Sequence, residues 1–297
     1  MTAATNRTDP CFPPASAAFG SVQISDTEFH AIRHLVYENF GINLTEQKRS
    51  LVVGRLQKFL RQKQFATFDQ YFHYVRTDAS GQALGELINR ISTNHTFFFR
   101  EQDHFDFFRT VILPETTARL KKERSNDLRV WCAGCSFGDE PYTFMITMLE
   151  HFGLDYKNWN AGILATDISA AALSAAKAGV YPEERLKMVP PSLKQKYFRD
   201  AGDGTFQVSE ILKKEITFRR LNLMKEQFPF RKPFHLISCR NVMIYFDQPT
   251  RNALVNRFFE MTAPGGYLFI GHSETLRNDA CPYAYIRPAI YRKGGGA

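Results

Sequence analysis

The stretch from Leu128 to Phe144, LRVWCAGCSFGDEPYTF, decides the fold of this 297-residue chain. Its first five residues, LRVWC, form a short apolar run that is typical of a buried strand. The small residues between Ala133 and Gly138 then predict a tight turn, and the following Asp-Glu-Pro predicts the beginning of a helix. Strand, turn and helix in this order are typical of nucleotide-binding units, because small residues let a ligand approach the backbone.

Two acids at the start of the predicted helix, Asp139 and Glu140, restrict the kind of ligand. A helix N-terminus attracts anions, yet two negative charges already stand at this one, so a diphosphate would be repelled. A ligand with an ammonium or sulfonium charge and ribose hydroxyls would be attracted instead. We therefore expect S-adenosylmethionine (SAM) as the cofactor of a Rossmann-like fold.

Strand and helix patterns alternate from Leu128 onward, which predicts an α/β domain with a mostly parallel sheet covered on both faces. Strands are predicted at residues 129–132, 162–166, 217–220, 235–238 and 267–271, and helices at 141–152, 170–178 and 250–261. Gly265-Gly266 is interpreted as the turn into the last strand. Between about residues 181 and 217 strands and helices no longer alternate, and the pattern predicts a small antiparallel β insertion that turns at residues 202–204.

Residues 21–90 carry helix patterns only and predict an all-helical N-terminal domain. Ser25 to Glu28 forms an S-x-x-E capping box, and apolar residues follow at helical spacing up to Phe40. Further helices are predicted at about residues 46–62, 68–75 and 82–92. The second of these carries a basic face, which is either a solvated helix surface or a docking surface for an acidic partner. Its members are Lys48, Arg49, Arg55, Lys58 and Arg61.

The composition indicates a globular protein with a substantial core and an acidic partner. The chain is 44% hydrophobic, and Lys+Arg exceed Asp+Glu by 38 − 30 = 8 charges. No apolar run approaches the roughly 18 residues that span a bilayer. Residues 1–20 contain several prolines and no apolar h-region, so we interpret them as a disordered tail rather than a signal peptide.

The five cysteines favour reduced thiols and a cytoplasmic location, because their number is odd in a chain of this length. Cys132 and Cys135 form a C-x-x-C pair, but no further zinc ligands follow at a suitable spacing. We therefore expect no metal site. A redox role for the pair is the weaker interpretation, and two small buried residues at a strand end the stronger one.

Candidate site residues lie directly after the predicted strands, because ligands of open α/β sheets bind beyond the carboxyl ends of the strands. Asp167 follows the second strand, 29 residues after Gly138, which is near the spacing at which an acid accepts hydrogen bonds from ribose hydroxyls. Capping of the next helix is compatible with the same position. The other candidates are Gly134, Gly138 and Glu140 after the first strand, Asn222 after the third, and Arg240, Asn241 and Tyr245 after the fourth.

Five sequence blocks carry a resemblance to a known family. They occur in a fixed order: NHTFFFRE (94–101), SFGDEPY (136–142), ATDIS (165–169), CRNVMIYF (239–246) and GHSET (271–275). Together they closely resemble the CheR-type chemotaxis receptor methyltransferases over about residues 22 to 292.

The resemblance implies a SAM-dependent protein-glutamate O-methyltransferase. Such an enzyme would esterify glutamates on the cytoplasmic signalling domain of chemoreceptors (methyl-accepting chemotaxis proteins), giving glutamate 5-methyl esters and S-adenosylhomocysteine. The family architecture implies a helical receptor-docking domain at 21–90 and a methyltransferase domain at 91–297, with a β subdomain at about 181–217.

Roles for individual residues also follow from the resemblance. Asn94, Thr96 and Arg100 would border the methionine end of the cofactor and the acceptor. Glu140 and Asp167 would take the cofactor's amino group and ribose hydroxyls, Asn222 and Leu223 would contact the adenine region, and Arg240 and Asn241 would line the pocket. Tyr245 would face the substrate. Arg100 and Tyr245 are the expected catalytic residues, because a guanidinium fork and a hydroxyl both orient a carboxylate.

The chain departs from the family pattern in two places. Phe137 stands where many members carry a small polar residue, so its ring must point away from the cofactor or stack beside it. The loop at residues 200–204 is short, whereas some members use a longer loop there to grip a pentapeptide at the receptor C-terminus. Tethering by such a peptide is therefore doubtful for this chain.

Two other function classes remain as alternatives. A nucleic-acid methyltransferase would fit the basic pI of about 9.2, but the Asn-Pro-Pro-aromatic motif is absent, so we expect no nucleic-acid partner. A SAM-binding module without turnover is disfavoured by the presence of Arg100 and Tyr245. A hydrolase is excluded on geometry, since neighbouring residues of an extended His272-Ser273-Glu274 would point to opposite sides.

Overall fold

The computed structural model describes residues 23–92, 95–276 and 281–294 of the chain. Its first part is a helical unit, and its second part is an α/β unit. The helical unit contains α1 (Asp26–Phe40), α2 (Arg49–Gln62), α3 (Phe68–Thr77) and α4 (Gln82–Ile91). The helix predicted at 46–62 is divided, because Glu46–Lys48 form a 3-10 turn before the α-helix starts.

Local chemistry explains both ends of α1. The Ser25 hydroxyl accepts from the Glu28 amide at 3.2 Å, and the Glu28 carboxylate accepts from the Ser25 amide at 2.8 Å, which completes the predicted capping box. At the other end, Gly41 adopts a φ of 67° and donates to the Tyr37 carbonyl oxygen at 2.7 Å. The apolar residues between these ends form the buried face of the helix.

The α/β unit is organised around a seven-stranded sheet. The described strands are β1 (Asp127–Ala133), β2 (Asn160–Asp167), β3 (Val180–Pro182), β4 (Phe198–Gly202), β5 (Thr205–Val208), β6 (Ile216–Arg220), β7 (Phe234–Cys239), β8 (Thr262–Ile270), β9 (Ala284–Arg287) and β10 (Ile290–Arg292). The sheet order is β6-β2-β1-β7-β8-β10-β9, with the first five strands parallel and β10 antiparallel to both of its neighbours. The order changes direction between β1 and β7, which is where ligands bind in such sheets.

The helices of the α/β unit include one long element that the sequence patterns did not predict. α5 (Gln102–Phe107) and α6 (Leu113–Lys122) are joined by a π-helical turn, so the chain is helical from 102 to 122. Aromatic residues and an internal proline weaken the helix signal of this segment. The remaining helices are α7 (Asp139–Phe152), α8 (Ala170–Ala178), α9 (Pro191–Tyr197), α10 (Glu210–Lys214) and α11 (Gln248–Met261).

Two local predictions near the end of the chain were wrong. β8 begins at Thr262, so Gly265-Gly266 lies inside this strand and not in a turn before it. Gly265 has a φ of 68°, and the pairing with β7 shifts register nearby, which is typical of a bulge. β8 ends at Ile270, so residues 272–274 lie in a turn and not on an extended strand.

The β insertion forms a separate three-stranded antiparallel sheet in the order β3-β5-β4. β4 and β5 form a hairpin whose connection is only Asp203-Gly204. α9 and α10 lie in the same segment and were not predicted. The short loop expected at 200–204 is therefore a tight hairpin turn.

The helical unit packs on one face of the sheet and does not stand apart from it. One apolar cluster contains the inner faces of α1 to α4 together with Trp131, Ile237 and Leu268, and a second cluster fills the other face of the sheet. The Asn43 amide donates to the Tyr245 carbonyl oxygen at 2.8 Å, so the helical unit is held beside the loop that follows β7. Within the described residues, no helix has both the length and the apolar character that a membrane span requires.

Candidate active site

A cleft opens at the carboxyl ends of β1, β2 and β7, where the strand order reverses. Nearly all of the predicted site residues line it. They are Thr96, Arg100, Gly134, Glu140, Asp167, Asn222, Leu223, Arg240, Asn241 and Tyr245. Asn94 lies outside the described residues. The structure thus brings together side chains that are up to 149 residues apart in sequence, as Thr96 and Tyr245 are.

The turn after β1 forms the floor of the cleft. The Gly134 and Cys135 amides both donate to the Thr166 carbonyl oxygen, at 2.8 and 2.9 Å, which ties the turn to the end of β2. Gly134 has a φ of 87°, and a Cβ there would lie 2.5 Å from the Val242 side chain. Only glycine therefore permits the turn and the loop after β7 to approach this closely.

The two acids at the start of α7 have different environments. Asp139 is fully buried and is paired with Arg185, whose Nε donates to Oδ1 at 2.9 Å and whose Nη2 contacts Oδ2. Burial raises the pKa of the Asp139 carboxyl, although the guanidinium opposes this shift. Only Glu140 lines the cleft. Asp139, for which no contact with the cofactor was predicted, is engaged by the β insertion instead.

Phe137 is placed by the same arrangement. Its ring lies 4.9 Å from the Arg185 guanidinium and is partly buried against the second apolar cluster. The Tyr181 hydroxyl donates to the Phe137 carbonyl oxygen at 2.6 Å. Phe137 is not among the residues that line the cleft, so its ring packs on the β insertion side of the turn.

Asp167 is buried at the end of β2, and both of its oxygens accept backbone hydrogen bonds. Oδ2 accepts from the Ser136 amide and Oδ1 from the Ser169 amide, each at 2.8 Å. Burial raises the pKa of Asp167, and the backbone donors oppose this shift. A carboxylate oxygen accepts more than one hydrogen bond, so Asp167 retains capacity for hydroxyl donors in the cleft.

Arg240 connects the two sides of the cleft, and its side chain is almost completely buried. Nη1 donates to Glu140 Oε2 at 3.0 Å, and Nη2 donates to Glu101 Oε2 at 3.2 Å. Glu101 Oε1 also accepts from the Asn241 side chain at 3.3 Å. Glu101 is part of the NHTFFFRE block, but no role was predicted for it, although it lies directly beside Arg100 in the sequence.

The two predicted catalytic residues, Arg100 and Tyr245, both line the cleft. Arg100 donates from Nη1 to the His95 carbonyl oxygen at 2.7 Å, and its Nε lies 4.0 Å from Glu101 Oε1. Tyr245 ends a 3-10 turn, Met243–Tyr245, and Lys48 Nζ lies 5.3 Å from the centre of its ring. The contact with Lys48 was not predicted, because it joins the helical unit to a loop almost 200 residues away.

The helical unit supplies part of the cleft wall through Phe40 and Ile42, which sequence reasoning missed. The Asn222 amide group is held from the same side, since Nδ2 donates to the Asn39 carbonyl oxygen at 2.7 Å. Its Oδ1 accepts from the Met224 amide at 3.0 Å. No local sequence pattern identifies such contacts, because they join segments that are far apart in sequence.

Side chains with metal-ligand atoms also occur near the cleft. Glu101, His104 and His272 bring such atoms within 4.8 Å of one another. The Glu101 carboxylate is ion-paired with Arg240, however, and His272 Nε2 lies 3.1 Å from Asp103 Oδ1.

Cys132 and Cys135 are free thiols whose pKa values are raised by burial, which makes both poor nucleophiles.

The carboxylates and apolar side chains of the cleft fit SAM better than a phosphorylated nucleotide. Two carboxylates, Glu140 and Asp167, face a floor of small residues and an apolar wall that includes Phe40, Ile42 and Leu221. Carboxylates attract an ammonium or sulfonium charge and accept from ribose hydroxyls, whereas they repel a diphosphate. Apolar walls suit an adenine ring.

Comparisons with known proteins agree with this chemistry. Residues 94–287 match the model of the CheR methyltransferase SAM-binding domain, and residues 27–92 match that of the CheR methyltransferase all-alpha domain. The chain is 46% identical over 273 residues to the chemotaxis protein methyltransferase of Borreliella burgdorferi, covering 92% of this chain and 96% of that protein. It is 36% identical over 256 residues to the chemotaxis protein methyltransferase of Escherichia coli K12, covering 85% of this chain and 86% of that protein.

Proposed function

The chain belongs to the CheR methyltransferase family, and from that premise we propose that its cleft esterifies glutamate side chains of chemoreceptors. It is a SAM-dependent methyltransferase of chemotaxis. The observation that carries the proposed chemistry is that one cleft is lined by Glu140 and Asp167 together with Arg100 and Tyr245. The carboxylates of Glu140 and Asp167 complement the positive charge and the hydroxyls of the methyl donor. The Arg100 guanidinium and the Tyr245 hydroxyl complement a carboxylate acceptor.

The proposed reaction needs alignment more than proton transfer. SAM, when bound, supplies a methyl group on a positively charged sulfur. A glutamate carboxylate with a pKa of about 4.3 is ionised near neutral pH, so it attacks without a general base. One carboxylate oxygen forms a bond to the methyl carbon while the carbon–sulfur bond breaks and its electron pair stays on sulfur. Holding these three atoms in line contributes several kcal/mol.

We assign the alignment to residues of both sides of the cleft. Arg100 orients the acceptor carboxylate through its guanidinium fork, and the Tyr245 hydroxyl donates to the same group. Glu140 holds the amino group of SAM, and Asp167 holds its ribose hydroxyls. Around these residues, Asn94, Thr96, Asn222, Leu223, Arg240 and Asn241 complete the proposed cofactor site.

The domain organisation that accompanies this proposal is a helical docking domain at residues 21–90 and a methyltransferase domain at 91–297. The helical domain also takes part in the site, since it contributes Phe40 and Ile42 to the cleft wall. The substrate is the cytoplasmic signalling domain of a chemoreceptor. Tethering through a receptor C-terminal pentapeptide is not part of the proposal, because the β4–β5 hairpin turn is short, and tight binding of such a peptide in calorimetry would contradict this.

Transfer of label from radioactive SAM tests the reaction itself. The full chain is incubated with a receptor signalling domain and, separately, with DNA. A methyl group that is lost from the receptor in mild base, and that maps to glutamates by mass spectrometry, supports the proposal. Base-stable label on DNA would indicate a nucleic-acid methyltransferase, and SAM binding without label would indicate a silent module.

The Tyr245→Phe variant is expected to lower kcat for receptor methylation by about 10- to 100-fold. Its ring remains in place, so the Kd for SAM should stay within about twofold of the parent value. Single-turnover methylation and calorimetry with SAM measure the two quantities. Tyr285→Phe, an exposed tyrosine on β9, is the matched control. Unchanged turnover of the Tyr245→Phe variant would remove the hydroxyl from the mechanism.

The basic face of α2, together with Lys48 in the 3-10 turn before it, is proposed as the docking surface for the acidic receptor. Its members differ in their contacts: Arg49 is paired with Asp26, and Arg55 Nη1 donates to the Ile91 carbonyl oxygen at 2.6 Å. Lys58 and Arg61 are exposed. Lys48 lies beside the Tyr245 ring, and burial together with Arg251 lowers the pKa of the Lys48 amine. A receptor bound to this face would therefore lie next to the proposed catalytic residues.

Reversing the charges of the two exposed members, Lys58→Glu with Arg61→Glu, is expected to raise KM for the receptor by about tenfold or more at low salt. The Kd for SAM should not change. Raising the salt concentration should narrow the difference from the parent enzyme, because the attraction is screened. Lys122→Glu with Lys157→Glu makes the same charge change outside this face and serves as the control. Equal receptor KM values for both double variants would show that the face is merely solvated.

A further inference from the structure

The GHSET segment after β8 places a carboxylate directly under the loop that carries the proposed catalytic tyrosine. Glu274 is buried, with 7% of its surface exposed. Its Oε2 accepts from the Asn241 amide at 2.9 Å and from the Gly271 amide, and its Oε1 accepts from the Ile244 amide at 3.0 Å. The Met243 amide contributes a further hydrogen bond, so backbone N–H groups of four residues in two segments converge on one ionisable side chain.

Backbone hydrogen bonds hold the end of the loop after β7, since the Tyr245 amide donates to the Val242 carbonyl oxygen and the Asn43 amide donates to the Tyr245 carbonyl oxygen. The beginning of the loop is held differently. Asn241 adopts a φ of 59°, in the left-handed region that asparagine enters more readily than most residues other than glycine. The following Met243–Tyr245 segment is a single 3-10 turn, whose first N–H groups have no partner within the turn. Glu274 accepts from this turn as a capping side chain accepts from the start of a helix, with the added strength of a charged acceptor.

Gly271 completes the same arrangement. A Cβ at this position would lie 2.3 Å from the Asn241 Nδ2 and 2.8 Å from the Asn241 backbone nitrogen. The absence of a side chain at 271 thus lets Asn241 lie against the turn, and Glu274 then binds its amide. The segment accordingly needs glycine at its first position and an acid three residues later.

We propose that Glu274 is a positioning residue for methyl transfer, which holds the 241–245 loop through two separate contacts. Oε2 fixes Asn241 on the cofactor side of the loop, and Oε1 fixes Ile244, the residue before Tyr245. This inference rests on the proposed roles of Asn241 and Tyr245. It also accounts for the acid of the GHSET block, since Glu274 is buried and is not among the residues that line the cleft.

Glu274→Gln separates the two contacts. A glutamine keeps one acceptor oxygen, and the orientation that accepts from both Asn241 and Gly271 retains these two hydrogen bonds. Its NH2 group then faces the Ile244 amide, which is a donor as well, so this end of the loop is released. We expect kcat to fall by about 30-fold, since small misplacements of reacting groups carry costs of that order. The Kd for SAM should stay within about threefold.

Two readouts separate positioning from a contribution to folding alone. Amide hydrogen exchange should accelerate at Ile244 and not at Asn241. In addition, Glu274→Gln should cost little further activity in the Tyr245→Phe background, because a residue that acts through the tyrosine hydroxyl has no effect once the hydroxyl is gone. Ser273→Ala, an exposed neighbour in the same turn, is the control. Rates are expressed per folded molecule, with the folded fraction taken from thermal melts.

The outcomes distinguish this inference from the proposed function. If Glu274→Gln melts at a lower temperature but keeps the parent kcat and the parent exchange at Ile244, the positioning role is overturned while receptor methylation by the parent enzyme stands. Additive losses in the double variant would overturn it as well. If the parent enzyme labels no receptor glutamate, the proposed function fails, and the exchange rates at Asn241 and Ile244 still decide whether Glu274 holds the loop.

Discussion

Replacing Arg185 with methionine is expected to lower the free energy of unfolding by about 3 to 5 kcal/mol. Asp139 is completely buried, and Arg185 is its charge partner. Removing the guanidinium leaves an ionised carboxylate in an apolar environment, which is among the most costly single changes in a protein interior. The contacts of Arg185 with the Phe137 and Tyr181 rings, at 4.9 and 5.1 Å, are lost as well. Denaturant unfolding at neutral pH measures the difference.

The pH dependence of this variant provides an independent test. Burial already raises the pKa of Asp139 against the opposing effect of Arg185, so the pKa rises further when the guanidinium is removed. A raised pKa in the folded state means that the folded chain binds the proton more tightly than the unfolded chain. The stability deficit is therefore smallest at low pH and grows as the pH rises through the raised pKa.

Two control variants accompany Arg185→Met. Lys187→Met, an exposed lysine two residues away, should change stability by no more than about 0.5 kcal/mol. Adding Asp139→Asn to Arg185→Met removes both charges and should restore most of the lost stability. A decrease in the free energy of unfolding below about 1 kcal/mol for Arg185→Met alone would contradict the view that the Asp139–Arg185 pair holds the start of α7 against the β insertion.

Replacing Asp167 with alanine is expected to weaken SAM binding by at least about 100-fold, which corresponds to roughly 3 kcal/mol. Two effects add in the same direction. The proposed hydrogen bonds from the ribose hydroxyls to a charged acceptor disappear, and the Ser136 amide loses the carboxylate that holds the turn after β1. Calorimetric titration with SAM gives the Kd, and Asp106→Ala, an exposed aspartate on α5, controls for the loss of one negative charge.

The two effects are separated by the choice of ligand. An analogue of S-adenosylhomocysteine without the 2′ and 3′ hydroxyls should bind the parent enzyme weakly and should lose much less on Asp167→Ala than the normal product does. Asp167→Asn, which keeps one acceptor oxygen, should lie between the parent and the alanine variant. An equal loss for both ligands would mean that Asp167 acts only by holding Ser136, and Glu140 would then become the candidate for the ribose.

Much of the cleft could be predicted from the sequence because its residues follow strands. The periodicity of short apolar runs located the strands, and parallel strands bring their carboxyl ends to one edge. Glu140, Asp167, Asn222, Arg240, Asn241 and Tyr245 were found in this way and line one cleft. Their individual roles stay predictions until the variants above are measured.

The same reasoning failed where a residue's surroundings come from a distant segment. Asp139 and Glu140 are neighbours with the same local signal, yet one is buried against Arg185 and the other lines the cleft. Phe137 could not be placed before the β insertion was seen to cover it. The helix at 102–122 was missed because aromatic residues and a proline obscure its periodicity.

The sequence by itself determined the fold class, the carboxyl-end cleft and the preference for a cationic, ribose-bearing cofactor. These follow from local patterns, since hydrophobic periodicity and small residues act within about 15 residues of chain. Only the tertiary structure decided which acid meets the ligand, that the helical unit completes the cleft wall, and that Glu274 holds the loop before Tyr245. Such decisions arise from packing between segments far apart in sequence, where burial and charge partners are properties of the assembled chain.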